Sequence, residues 1–210
     1  NNTLETAREL EQIDARMADA ILSVSPYYNK PNQSGIVQHY KTLSGVSQLP
    51  IILYNVPGRT GSNLLPQTTL EIAASCKNII GIKEASGNME QIMYLIQHRN
   101  KGFLVISGDD AITMPLIAAG ADGVISVIAN AFPKQFSTMV RLALQGKITE
   151  SRKLHYQLLD LIPLLFAEGS PSGIKYVLSQ LDICQNYFRL PVASISKSLA
   201  QKINTVIKGI

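Results

Sequence analysis

Lys83 lies in Ile79-Ile80-Gly81-Ile82-Lys83-Glu84-Ala85, a short apolar run that otherwise reads as a strand covered on both faces. An ammonium held there loses hydration, which lowers the amine's pKa and frees its lone pair. Such a lysine can form a Schiff base with a carbonyl substrate. The same position also fits a lysine at a strand end whose head reaches solvent. The strand before it ends in Tyr54-Asn55-Val56-Pro57-Gly58-Arg59-Thr60-Gly61. Parallel neighbours place their carboxyl ends side by side, so Tyr54 can project beside Lys83 and move protons to and from a carbinolamine. Arg59 offers a planar fork that matches a carboxylate, although Pro-Gly-Arg also suits a plain turn.

The elements that position these groups alternate regularly. Helical spacing covers residues 4–18, 33–47, a segment opened by Pro66, 88–98, a segment from about Ala111, and 133–145. Strand-like runs lie between them at Ala20–Ser25, Ile51–Val56, Ile79–Ala85, Phe103–Ser107 and Gly123–Ile128. Strands alternating with helices specify a parallel sheet with right-handed crossovers. No strand is followed by G-x-G-x-x-G, which lowers the dinucleotide-binding option. The informative residues gather at the carboxyl ends of the strands: Tyr27, Tyr28, Asn55, Arg59, Glu84, Gly108, Asp109, Asp110 and Asn130. In a (β/α)8 TIM barrel that end carries the active site. Five strands do not close such a barrel, and the chain opens at Asn1 as a helix start with no preceding strand. The expected fold is therefore α/β: a TIM barrel lacking its first strands here, with five βα units over residues 1–146. A region of three helices is expected over residues 147–210 (148–168, 171–182 and 195–208).

Composition sets the outer limits. Hydrophobic residues are 46% and charged residues 16% of 210, which is globular rather than disordered. The net charge of +4 is scattered, with no arginine-rich segment or basic–aromatic stripe, so nucleic-acid binding is disfavoured. Cys76 and Cys184 make neither a disulfide framework nor a metal-ligand spacing and suit a reducing compartment. Asp109 and Asp110 lack a further ligand at metal spacing and read better as a helix cap or a pocket lining. His39, His98 and His155 all fall in helical segments, which argues against a histidine-centred triad.

Taken in order, S-P-Y-Y-N-K-P, L-Y-N-V-P-G-R-T-G, I-I-G-I-K-E-A-S-G, S-G-D-D, G-V-I-S-V and the late R-L-P resemble the dihydrodipicolinate synthase family across essentially the whole chain. The resemblance implies a lyase that condenses pyruvate with L-aspartate 4-semialdehyde to 4-hydroxy-tetrahydrodipicolinate, in lysine and diaminopimelate biosynthesis. It implies no cofactor, because pyruvate is held as a Schiff base on Lys83, with Tyr54 as proton shuttle. Tyr28 would complete a neighbouring subunit's site, Arg59 would hold the semialdehyde carboxylate, and Gly108 and the Ile125 carbonyl would line the pocket. Asn1, Glu5 and Tyr27 match positions that bind the feedback inhibitor lysine in relatives with that control. A cytoplasmic homotetramer, built as a dimer of dimers, is implied as well.

Other pyruvate aldolases share the Tyr and Lys strands. N-acetylneuraminate lyase and keto-deoxy-sugar-acid aldolases stay open as alternatives, with Arg59 favouring the synthase. Two departures mark this chain. The family's relay threonine, from a G-T-T-G-E motif, is not among these residues, so a 210-residue chain alone is expected to be inactive, and a non-catalytic homologue is a third reading. Ser170-Pro171-Ser172-Gly173-Ile174-Lys175 stands where the family usually has N-P-I-P-V-K, which replaces an amide near the entrance with the shorter Ser170.

Overall fold

In the computed structural model, which describes residues 1–210, the chain divides into two compact units. One comprises residues 1–109 with 119–125, the other residues 110–118 with 126–210. Residues 126–146 thus group with the later helices.

The first unit carries all the strands. Helix α1 (Thr3–Glu11) leads into β1 (Ile21–Val24), α2 (Gln33–Val46), β2 (Ile51–Asn55), the short α3 (Pro57–Thr60) and α4 (Pro66–Ser75). Then come β3 (Ile79–Glu84), α5 (Met89–His98), β4 (Leu104–Ser107) and β5 (Gly123–Val124). The strands form one sheet in the order β1-β2-β3-β4-β5, and every pair is parallel.

Period-2 alternation gives the sheet two unlike faces. Ile51, Leu53, Ile82 and Val105 on one face are fully buried, as are Ile36, Tyr40, Leu43, Ile72, Ile92 and Leu95 of the helices. The Tyr40 hydroxyl ties α2 to this side by donating to the Ser23 carbonyl at 3.0 Å. Removing these side chains from water, at about 25 cal/mol per Å² of apolar surface, is the main stabilising term. At the carboxyl ends the same face turns polar: Ser25, Asn55, Glu84 and Ser107 are all at most 1% exposed. The opposite face bears Val24, Ile52, Tyr54, Lys83, Leu104 and Ile106, all half-buried, with Leu22 exposed.

The second unit is helical: α6 (Thr113–Ala118), α7 (Pro133–Leu144), α8 (Ile148–Leu159), α9 (Leu161–Phe166), α10 (Ser172–Gln180) and α11 (Lys197–Ile207). Buried Ser151 on α8 donates to the Met139 carbonyl of α7 at 2.8 Å. A Cβ on Gly173 would lie 2.3 Å from the Leu165 carbonyl oxygen, so only glycine lets α9 and α10 approach this closely. Ser170 directly precedes Pro171 at the start of α10.

Three segments differ from the sequence expectation. The helix expected over 4–18 stops at Glu11, because Asp14 and Arg16 form a local turn with Arg16 N–H on Asp14 Oδ1 at 2.9 Å. The strand expected over Gly123–Ile128 keeps only Gly123 and Val124, since Asp110 Oδ2 captures the N–H groups of Val127 (3.0 Å) and Ile128 (2.8 Å). The chain there turns into a 3-10 segment, Ile128–Asn130. The expected helix 148–168 is two helices meeting at Asp160, so four helices rather than three follow Gly146. Pro163 has no N–H for the Leu159 carbonyl, which breaks the ladder there. No helix is long and apolar enough to cross a membrane.

Candidate active site

Parallel pairing places Tyr54 directly opposite Lys83, and Lys83 opposite Ile106. Both polar side chains emerge on the half-buried face one residue before their strands end. Lys83 Nζ stands 4.2 Å from the centroid of the Tyr54 ring. An ammonium over an aromatic face is held by the ring quadrupole, and the phenol oxygen belongs to that same ring. The expectation that Tyr54 projects beside Lys83 is met.

Gly108 follows β4 and closes the other side of the lysine. Its N–H donates to the Glu84 carbonyl at 2.7 Å, continuing the ladder past the strand end. A Cβ at Gly108 would fall 3.0 Å from Lys83 Cε and 2.8 Å from Ala85 Cβ. The lysine stem therefore lies against bare backbone. Ile125 extends β5 in the same way, its N–H on the Ser107 carbonyl at 3.0 Å, and is 40% exposed.

Arg59 is exposed on α3, whose first residue is Pro57 and whose last turn is closed by Gly61 at φ +70°. Burial raises the Tyr54 phenol pKa, and the Arg59 charge pulls it back down. The guanidinium is thus an electrostatic neighbour of the shuttle candidate, and the phenol stays protonated at neutral pH, ready to donate.

Tyr28 is 88% exposed with a left-handed backbone (φ +70°), uncommon for a residue with a side chain. Its N–H reaches the Thr60 carbonyl at 3.3 Å, so its loop sits on α3. Tyr27 and Asn1 line a hollow of about 330 Å³ together with Thr6, Glu9 and His39. Glu5 is exposed on α1 and does not line it. Asp110, expected from the sequence as a local helix cap or a pocket lining, instead accepts the distant N–H groups of Val127 and Ile128 within the second unit. Sequence reasoning singled out Asn55 and Glu84 but missed their partners Asn63 and Gln91. Neutral amides in a loop and on a helix look like surface residues until the fold brings them together.

A parallel sheet with a lysine and a tyrosine paired at its carboxyl ends is an α/β arrangement whose amine and phenol suit Schiff-base chemistry. The comparisons with known proteins specify it. Residues 1–210 match the model of the dihydrodipicolinate synthetase family, and the chain belongs to that family. It is 51% identical over 208 residues to a 4-hydroxy-tetrahydrodipicolinate synthase of Flavobacterium psychrophilum, covering 99% of this chain and 71% of that protein. A dihydrodipicolinate synthase from Acinetobacter baumannii complexed with pyruvate superposes with a TM-score of 0.94 at 36% identity, covering 99% of this chain and 71% of that one. A synthase from Cyanidioschyzon merolae with lysine bound gives a TM-score of 0.93 at 33% identity, covering 99% and 70%. The activity is that of a 4-hydroxy-tetrahydrodipicolinate synthase, a lyase of lysine and diaminopimelate biosynthesis.

Proposed function

We propose that Lys83 is the nucleophile of this synthesis and needs no cofactor. The observation that carries the reading is the Lys83–Tyr54 pair at 4.2 Å, on adjacent parallel strands. The amine adds to the ketone carbon of pyruvate, and the carbinolamine loses water to give an iminium. Loss of a methyl proton yields the enamine, whose carbon adds to the aldehyde of L-aspartate 4-semialdehyde. The semialdehyde's own amine then displaces lysine from the iminium carbon, closing the ring and releasing the lysine amine. Tyr54 supplies and retrieves the protons of the carbinolamine steps, which a protonated phenol with an adjacent cation can do. Arg59 receives the semialdehyde carboxylate as a planar fork. Gly108 and the Ile125 carbonyl line the pyruvate pocket.

The five parallel strands are five of the eight of a TIM barrel, with Lys83 and Tyr54 on its inner face. The half-buried apolar character of that face supports this reading. Tyr28 would serve a second subunit of a homo-oligomer, a dimer of dimers, a reading its exposure and left-handed backbone support. Lysine would bind at the hollow lined by Asn1 and Tyr27, and the lysine-bound relative supports such control. The enzyme would work in the cytoplasm.

Arg59→Ala tests the assignment of the second substrate. The KM for L-aspartate 4-semialdehyde should rise at least about ten-fold, the effect of losing a charged hydrogen-bonding partner. The rate of borohydride-trapped pyruvate adduct should stay within a few-fold. Equal loss of both would remove Arg59 from the semialdehyde site. Cleavage of N-acetylneuraminate faster than use of the semialdehyde would overturn the substrate reading.

A further inference from the structure

Behind Lys83, on the helix-covered side of the sheet, lies a closed polar network that the chemistry above does not use. Glu84 is 0% exposed. Its Oε1 accepts the Ser86 N–H at 2.7 Å, and its Oε2 accepts Gln91 Nε2 at 3.0 Å. Asn55 Nδ2 donates to both oxygens, at 3.2 and 3.0 Å. Asn55 is itself 0% exposed and is paired with Glu84 across β2 and β3. Its Nδ2 also donates to Asn63 Oδ1 at 2.8 Å, and its Oδ1 accepts the Leu64 N–H at 2.9 Å. Asn63 Nδ2 closes the ring on Gln91 Oε1 at 2.8 Å. Gln33 braces the loop from α2, donating to the Asn63 carbonyl at 2.9 Å and accepting the Leu65 N–H at 3.2 Å.

A buried carboxylate surrounded by donors is costly to leave half-satisfied, so such a ring behaves as a unit. Its members are the sequence neighbours of the chemical groups. Asn55 follows Tyr54, Glu84 follows Lys83, and Asn63–Leu64 end the loop that carries Arg59. We infer that Glu84 and its ring partners are positioning residues, fixing the Arg59 loop to the end of the lysine strand so that the nucleophile and the carboxylate fork keep one spacing. This inference rests on Lys83 as nucleophile and Arg59 as the carboxylate's partner.

Glu84→Gln keeps the volume but adds an amino group where only acceptors are wanted. Asn55 or Gln91 then faces a donor, and an Asn55 amide turned to compensate abandons the Leu64 N–H. Asn63→Ala cuts the ring from the loop end and leaves both strands intact. The test is amide exchange by mass spectrometry on the purified enzyme, alongside adduct trapping and steady-state kinetics. In Glu84→Gln, exchange at Ser86 and across residues 61–65 should quicken together by about ten-fold, with slower trapping at Lys83 and a raised semialdehyde KM. Asn63→Ala should quicken exchange over 61–65 and raise that KM while trapping stays within two-fold. Unchanged exchange over 61–65 in Glu84→Gln overturns the inference. So does a fall in kcat that merely follows the folded fraction, with KM constant, in both variants. If the unaltered enzyme traps no pyruvate on Lys83, the nucleophile assignment fails instead, and the exchange data still decide whether strand and loop are coupled.

Discussion

Gly108→Ala tests how tightly the lysine is held. The added methyl carbon would lie 2.8 Å from Ala85 Cβ, 3.0 Å from Lys83 Cε and 3.2 Å from the Glu84 carbonyl oxygen. Two of these neighbours are fixed, since Ala85 Cβ is one bond from backbone and Glu84 O accepts the Gly108 N–H itself at 2.7 Å. The lysine stem is the flexible partner, so relief of the clash moves Cε and swings Nζ out of its position over Tyr54. Overpacking of this kind costs about 1–3 kcal/mol. If about half of that falls on the reactive geometry, at about 1.4 kcal/mol per decade, adduct formation slows about two-fold to about ten-fold. The melting temperature should fall by roughly 2–12 °C, at about 2–4 °C per kcal/mol. The assay is the rate of borohydride-trapped adduct at saturating pyruvate, with thermal unfolding on the same sample. A folded variant that traps pyruvate at the unaltered rate would refute the packing argument. A large loss of stability with normal trapping would show that backbone, rather than Lys83, yields.

Two other outcomes follow from the site and its surroundings. Tyr54→Phe keeps the ring under Lys83 but removes the proton carrier, so adduct formation should slow by about 10²- to 10⁴-fold with melting little changed; stopped-flow trapping measures it. Buried His39, bonded through Nδ1 to Thr3 Oγ1 at 2.9 Å, has its pKa lowered to about 4, with burial the largest cause. A lowered folded-state pKa means that the unfolded chain binds the proton more readily. The contribution is therefore complete above about pH 6.5 and lost as the pH falls toward 4. It amounts to roughly 2 kcal/mol once screening is allowed for. Urea unfolding at pH 7 and pH 5 should show more than half of that loss, and His39→Gln should reduce it.

Much of this architecture was legible in the residues. The strands at Ile51 and Ile79 end within one residue of their expected positions, because Ile and Leu runs bounded by Pro and Gly have few other readings. The Lys83–Tyr54 pairing follows once those two strands are taken as parallel neighbours. Long-range capture by side chains was not legible. Asp110 takes the N–H groups of Val127 and Ile128 and stops a strand that the local pattern G-V-I-S-V-I favours. The Glu84 ring joins residues up to 29 positions apart, and no spacing rule links Asn63 to Gln91 or either to a strand end. Helix α3 is four residues long, too short for periodicity to register.

Every step of the proposed chemistry passes through one nucleophile, so its identity is the most direct test. Incubating with pyruvate a purified protein that holds this chain within a closed barrel, reducing with borohydride and sequencing the peptides by mass spectrometry reads it out. The expected result is a single pyruvate-derived mass on the peptide spanning Ile79–Ala85, localised to Lys83 and absent in Lys83→Arg. A stable adduct on any other lysine, or a Lys83→Arg variant that still traps and turns over pyruvate, would contradict it.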